Sequence, residues 1–218
     1  MPQLKNARKT WFLLLYTLCF FVVQSAYAYT YAHTYDLRSS ISLQISLRLA
    51  TWTLPVLIYI AASHGNPFDY LKMTRKAGKG FLWGTVLGAG LILLNVISAF
   101  LLKGHVAFNL KIGWELWLKS VILVGFSEEI LFRGFFLEKY AEVAGFRKSN
   151  VICAALFLLV HIIGWGFLSQ LVLPHILKSA VYIFFFSMVQ GVVLKKTDSL
   201  WACIIIHSVN NMLSLVML

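Results

Sequence analysis

Cysteine and charge are both scarce in this chain, and each shortage narrows what it can be. The three cysteines, Cys19, Cys153 and Cys203, each lie inside an apolar run. An odd number so placed implies neither a disulfide framework nor a cysteine-based zinc site, and they read as small core residues. Charged residues make up only 12% of the 218 positions, and the acidic ones are fewest: 8 Asp and Glu against 19 Lys and Arg, a net charge of +11. Such an excess can mark a nucleic-acid binder. Here, however, the basic residues stand in short clusters between apolar runs rather than along one face, which argues for membrane topology and against nucleic acid as a partner. Internal repeats, low-complexity tracts and long linkers are absent too, so residues 1–218 read as one membrane domain.

What the chain has in abundance is apolar surface. Hydrophobic residues reach 60%, against about 45–50% in ordinary globular domains, and the mean hydropathy is +0.79. The solvent for such a chain is lipid, and the expected fold is an all-α polytopic membrane bundle of about seven transmembrane helices. The amino end, KNARK followed by Trp11 to Val23 and Ala26-Tyr27-Ala28, has the three regions of a secretory signal. It also reads as a first span, the preferred reading, because apolar and aromatic residues continue to Tyr31. The next spans are Ile45 to Ser63, which tolerates Arg48 near one end and Pro55 within, and Gly80 to Leu102. In the latter, Gly80, Gly84 and Gly88 form a small-residue stripe suited to close helix packing, within the chain or with a neighbour. Trp117 to Leu137, Asn150 to Phe167, Ile176 to Leu194 and Leu200 to Leu218 follow.

Loop charges set the orientation. With a cytoplasmic amino terminus, the inside segments hold Lys5, Arg8, Lys9, Lys72, Arg75, Lys76, Lys79, Lys139, Arg147, Lys148, Lys195 and Lys196, whereas the outside loops hold Arg38, Lys103 and Lys111. That asymmetry satisfies the positive-inside rule and puts the carboxyl terminus outside.

Within this apolar background the stretch Gly125 to Phe136, GFSEEILFRGFF, sets two glutamates and an arginine inside a span. Each unpaired charge near mid-membrane opposes insertion by roughly 2.5–3.5 kcal/mol, so these residues need partners and mark a functional site. At a rise of about 1.5 Å per residue, Glu128, His161 and Asn211 all lie roughly 15–16 Å from the cytoplasmic ends of their spans. His207 stands one turn nearer the cytoplasm than Asn211, on the same face. The same spacing pairs Glu129 with Arg133, a structural or tuning pair, and leaves Glu128 free to act.

Hydrolysis of a peptide bond needs an activated water, donors for an oxyanion and an acid for the leaving amine. Glu128 suits the general base and later acid, His161 can share the water or proton, and His207 and Asn211 suit the oxyanion. Each also has a plainer reading. A lone intramembrane histidine such as His161 can be a helix-to-helix hydrogen bond, and Asn210 or Asn211 can be packing glue. His33, His64, His105 and His175 fall in loops or at span edges, where structural roles are the simpler account.

These residues carry a resemblance. Glu128-Glu129-Ile130-Leu131-Phe132-Arg133-Gly134 resembles the EExxxR motif of the CPBP (Abi, or type II CAAX prenyl protease) family of intramembrane proteases. Phe157 to His161 is similar to its FxxxH, and His207 to Asn211 to its HxxxN. The three stand in the family's order on separate spans, and the resemblance covers the carboxyl-terminal half from Trp114 to Leu218. It implies an all-helical intramembrane endopeptidase whose cavity is lined by Glu128, His161, His207 and Asn211. The expected partner is a peptide or membrane-protein substrate, lipidated or not, met within the bilayer. Short loops are similar to those of bacterial members, some of which are linked to bacteriocin immunity, and imply a bacterial plasma membrane. Members have been described as metalloproteases, and Glu128, His161 and His207 would be the zinc set. The sequence lacks HExxH, and a metal-independent glutamate mechanism without cofactor is preferred. Two other readings stand beside the protease: a non-catalytic immunity or partner-binding membrane protein, and a proton-linked transporter, for which internal repeats and paired broken helices are missing.

Overall fold

The computed structural model describes residues 2–168 and 173–217. They form helices and short connections. The described residues contain no β-strand, only a single antiparallel bridge between Phe108 and Met217. In chain order the main helices are α1 (Pro2–His33), α2 (Ile41–His64), α3 (Ala77–Lys103), α4 (residues 114–144), α5 (Phe146–Phe167), α6 (Leu173–Thr197) and α7 (Leu200–Val216). An apolar chain in lipid has no water to satisfy its backbone, so each run closes its own hydrogen bonds as a helix.

Five of these helices are long and apolar enough to cross a membrane: Lys9–His33 within α1, all of α2, α3 and α5, and Ile176–Thr197 within α6. Their outer faces confirm the solvent. Leu94, Leu101 and Leu102 on α3 are 65%, 75% and 84% exposed, an arrangement that would promote aggregation in water and is neutral in hydrocarbon. The protein is an all-α integral membrane protein. The other two expected spans are helical as well. α7 has 17 residues, and the final residue expected for that span, Leu218, lies outside the described residues. α4 is helical from end to end but widens into π-type turns over Trp117–Leu123 and Ile130–Leu137. Such turns shift side chains out of register with a regular helix and recur at functional sites.

The chain divides into two compact units, Met1–Gln44 with Phe135–Val192, and Ile45–Gly134 with Val193–Leu218. In the first, α1 packs on α5 and on the last turns of α4. The Tyr16 and Phe135 rings lie 4.9 Å apart, and Thr17 Oγ1 and Tyr140 Oη share a hydrogen bond of 2.9 Å. Asn150 Nδ2 donates to the Met188 carbonyl at 2.9 Å, tying α5 to α6. Gly191 leaves the space that this amide needs, because a Cβ there would collide with the Asn150 side chain.

In the second unit α3 and α7 run parallel with their backbones in close approach. Gly80, Gly84 and Gly88 are buried and face, in step, Ser199 with Trp201, Ile205 with Ala202, and Val209. The glycine stripe therefore has its partner in the same chain, and dispersion between closely approached helices supplies the packing that lipid gives no hydrophobic drive for. At one end of this pair Lys72, Lys76 and Asp198 take left-handed backbone conformations, which is uncommon away from glycine. The same three residues form ion pairs, Lys72 Nζ and Lys76 Nζ lying 3.4 and 2.8 Å from the Asp198 carboxylate. The hydrogen bond from Lys76 holds the Asp198 carboxyl below the usual carboxylate range. Trp201 Nε1 donates to the Met73 carbonyl at 2.9 Å and the Leu200 amide to that of Lys72 at 3.2 Å, fixing the start of α7.

The close approach yields a direct prediction. A Cβ at Gly84 would lie 2.9 Å from Ile205 Cβ and 3.2 Å from the Ala202 Cα, whereas one at Gly90 meets nothing within 4 Å. Gly84→Leu should lower stability by about 1–3 kcal/mol through overpacking, read as a fall in thermal midpoint and membrane accumulation. Gly90→Leu should leave both near wild type, and equal behaviour of the two variants would contradict the packing.

Candidate functional site

The second unit gathers Glu128, Glu129 and Arg133 of α4 around one imidazole of α7. Glu129 is fully buried and Arg133 is 1% exposed, and Arg133 Nη1 donates to Glu129 Oε1 at 3.0 Å, one turn along α4. The i,i+4 spacing predicts this pair. It does not predict the third member: His207 Nδ1 donates to the same Oε1 at 2.6 Å. The other edge of the ring faces Glu128, with Nε2 3.5 Å from Oε2. Adjacent glutamates that point apart around a helix thus bracket a single imidazole, which presents nitrogens on two edges. Nδ1 gives its hydrogen to the Glu129 carboxylate, and the second nitrogen, Nε2, faces Glu128.

Glu128 is not left free. Arg48 Nη1, from α2, donates to Glu128 Oε1 at 3.1 Å and to Ser127 Oγ at 3.2 Å. Ser127 in turn gives its hydroxyl hydrogen to the Val124 carbonyl at 3.1 Å, which turns an oxygen lone pair toward the guanidinium. The guanidinium carbon sits 4.5 Å from the Trp52 ring centroid, a cation–π contact from the same helix. Two carboxylates therefore face two guanidiniums, Glu128 with Arg48 and Glu129 with Arg133. Formal neutrality is the condition on which such a group survives burial. Arg48 is the residue that sequence reasoning missed. Its signal was available, since an arginine inside an apolar span requires a partner, but that partner lies 80 residues away in the chain.

Asn211 stands one turn beyond His207 on α7, and its Nδ2 donates to the Ser120 carbonyl at 3.1 Å. Ser120 lies in the π-type turn Trp117–Leu123, so the asparagine ties α7 to a widened stretch of α4. His161 belongs to the first unit. Its Nδ1 donates to the Phe157 carbonyl of its own helix at 2.8 Å, and its ring packs 4.7 Å from that of Phe157. With Nδ1–H so engaged, Nε2 carries the lone pair of the neutral ring. His33 Nδ1 bonds to the Tyr29 carbonyl and His105 Nδ1 to that of Lys103, both local contacts, while His64 meets the edge of Tyr70. The His175 side chain lies outside the described residues.

A divalent cation finds a poor donor set around Glu128. Among the described residues no three His, Cys, Asp or Glu side chains gather as a metal-binding group. Arg48 already takes Glu128 Oε1. A cation would have to share its first carboxylate with a guanidinium.

Removing one charge of the buried pair exposes the other. Arg133→Met should destabilise the protein by about 3–5 kcal/mol because Glu129 is left buried without its guanidinium. The double variant Glu129→Gln, Arg133→Met should recover most of that loss. Comparing chemical unfolding of the two in detergent checks the claim, and a double variant no better than the single would contradict it.

The same segment carries the relationship to known proteins. Residues 110–213 match the family model described as type II CAAX prenyl endopeptidase Rce1-like. No curated protein and no solved structure matches the chain. The match takes in Glu128, Glu129, Arg133, His161, His207 and Asn211 and stops well short of Arg48; over residues 110–213 this membrane protein is similar to the type II CAAX prenyl endopeptidase Rce1-like family.

Proposed function

We propose that the protein is an intramembrane endopeptidase in which Glu128 and His207 activate a water against a peptide bond. The observation that carries this reading is the buried pair Glu128 Oε2 and His207 Nε2, 3.5 Å apart, within the segment that matches a protease family. A water held by both atoms loses its proton to Glu128 as its oxygen adds to the scissile carbonyl. The tetrahedral oxyanion then needs donors. His207 can donate from Nε2 only as the imidazolium, because its Nδ1 hydrogen is committed to Glu129. Collapse of the intermediate breaks the carbon–nitrogen bond, and the proton on Glu128 passes to the departing amine. Glu129 orients the imidazole as a carboxylate orients the histidine of a hydrolase triad. Asn211, bonded to the Ser120 carbonyl through one amide hydrogen, retains a second for substrate. His161, with Nδ1 tied to Phe157, is read as a further catalytic residue on the strength of its FxxxH motif.

The mechanism is read as metal-independent, supported by the guanidinium on Glu128. Substrates are peptides or membrane proteins, lipidated or not, reached from the bilayer. The basic clusters support a cytoplasmic amino terminus and an outside carboxyl terminus in a bacterial plasma membrane. One observation favours a second reading. The ion pairs of Glu128 and Glu129 with arginines are also what a purely structural polar core requires, as in a non-catalytic bacteriocin-immunity or partner-binding protein.

The two readings separate on Glu128→Ala, His161→Ala and His207→Ala, each first shown to accumulate in the membrane as wild type does. Catalysis predicts that each lowers cleavage by at least about 100-fold, the usual worth of a general acid–base group. Wild-type cleavage, or wild-type immunity, in all three would leave the structural reading standing. Activity abolished by a chelator and restored by zinc would overturn metal independence.

A further inference from the structure

We infer that Arg48 is a positioning residue for the Glu128 carboxylate, fixing Oε1 so that Oε2 alone is presented to His207; this rests on the catalytic reading of Glu128. A glutamate side chain has three rotatable bonds, and in a site of this kind an error of about 1 Å in the reacting oxygen lowers the rate about 100-fold. The α4 backbone does not set those torsions, and two residues on, the helix widens into the π-type turn Ile130–Leu137. The fixing comes from outside α4. Arg48 Nη1 spans Glu128 Oε1 and Ser127 Oγ at 3.1 and 3.2 Å, so two successive residues of α4 are held by one nitrogen.

Arg48 is itself held by means that do not involve the carboxylate. The Ser127 hydroxyl is oriented by its own bond to the Val124 carbonyl. Trp52, 4% exposed, lies under the guanidinium plane and packs edge-on against Phe132 at 6.0 Å. Trp52 belongs to the π-type turn Leu49–Thr53 that begins directly after Arg48. A planar, delocalised cation stacks on an indole and reaches two acceptors at once, which an ammonium does less well. The Arg48 side chain remains 24% exposed, so the clamp sits at the edge of the buried group rather than within it. His207 completes the division of labour, because its contact with Glu128 is to the other oxygen. One oxygen is thereby assigned to structure and the other to chemistry.

The test compares Arg48→Met, Arg48→Lys and Glu128→Ala with wild type, all purified as the full chain. The first readout needs no substrate: labelling of Glu128 by the lipid-soluble dicyclohexylcarbodiimide, followed by mass spectrometry of its peptide. Release of the carboxyl from Arg48 should speed labelling at least fivefold in Arg48→Met and less in Arg48→Lys, and an unchanged rate would overturn the inference. The second readout is cleavage of a farnesylated peptide ending in a CAAX tetrapeptide. Positioning predicts kcat lower by about 10–100-fold in Arg48→Met with KM within about twofold. A variant with wild-type kcat, or with KM alone raised, would overturn it, the latter by making Arg48 a substrate contact. Glu128→Ala separates the role of Arg48 from that of Glu128 itself, since its cutting at the wild-type rate would sink the catalytic reading whatever Arg48 does. Should Arg48→Met fail to accumulate, Ser127→Ala loosens the same clamp without removing a charge. Faster carbodiimide labelling of Glu128 in that variant supports the inference, and wild-type labelling contradicts it.

Discussion

Everything in the second unit depends on keeping four ionised groups out of water without leaving any of them alone. Glu129 with Arg133, and Glu128 with Arg48, make the cluster formally neutral. Lipid offers no hydration to a mismatched charge, so the neutrality must be built from side chains. The arrangement explains why the polar residues come as they do. Arg133 lies one turn from Glu129 because α4 must carry its own counter-ion. Arg48 comes from another helix because Glu128 has no basic neighbour at helical spacing.

The imidazole of His207 is what turns a neutral cluster into a candidate reaction centre. Two carboxylates hold its two edges, the Glu129 side at 2.6 Å and the Glu128 side at 3.5 Å. The short contact fixes the orientation of the ring. In the proposed reaction the longer one is the edge that a water would approach. A helix pair must bring α7 to this register, and the glycine stripe of α3 does so. By removing side chains at Gly80, Gly84 and Gly88 it lets α3 press against α7 from Ser199 to Val209, while Asn211 binds the far end of α7 to the Ser120 carbonyl.

Much of this was legible in the amino-acid sequence, and the limits are physical. Apolar runs announced the helices and lipid as their solvent, and the four-residue spacing of Glu129 and Arg133 announced their ion pair. The EExxxR and HxxxN residues were recognised, yet their contacts were not. A carboxylate shared between Arg133 and His207 cannot be read from helix periodicity, because the sharing joins residues 78 apart. Arg48 was visible as a charge in a span and silent about its partner. The π-type turns left no mark in composition, although they alter which faces of α4 meet their neighbours. The glycine stripe declared a close helix contact and not whose helix; α7 of the same chain is the answer.

The central claim is that Glu128 takes a proton from water in hydrolysis of a peptide bond. It is tested most directly by incubating purified wild type and Glu128→Gln with a farnesylated CAAX peptide and identifying products by mass spectrometry. Glutamine keeps the shape of the side chain and cannot accept that proton. The account predicts a new carboxyl terminus from wild type and none from the equally well-folded variant. A variant that generates the same terminus at the wild-type rate would contradict it.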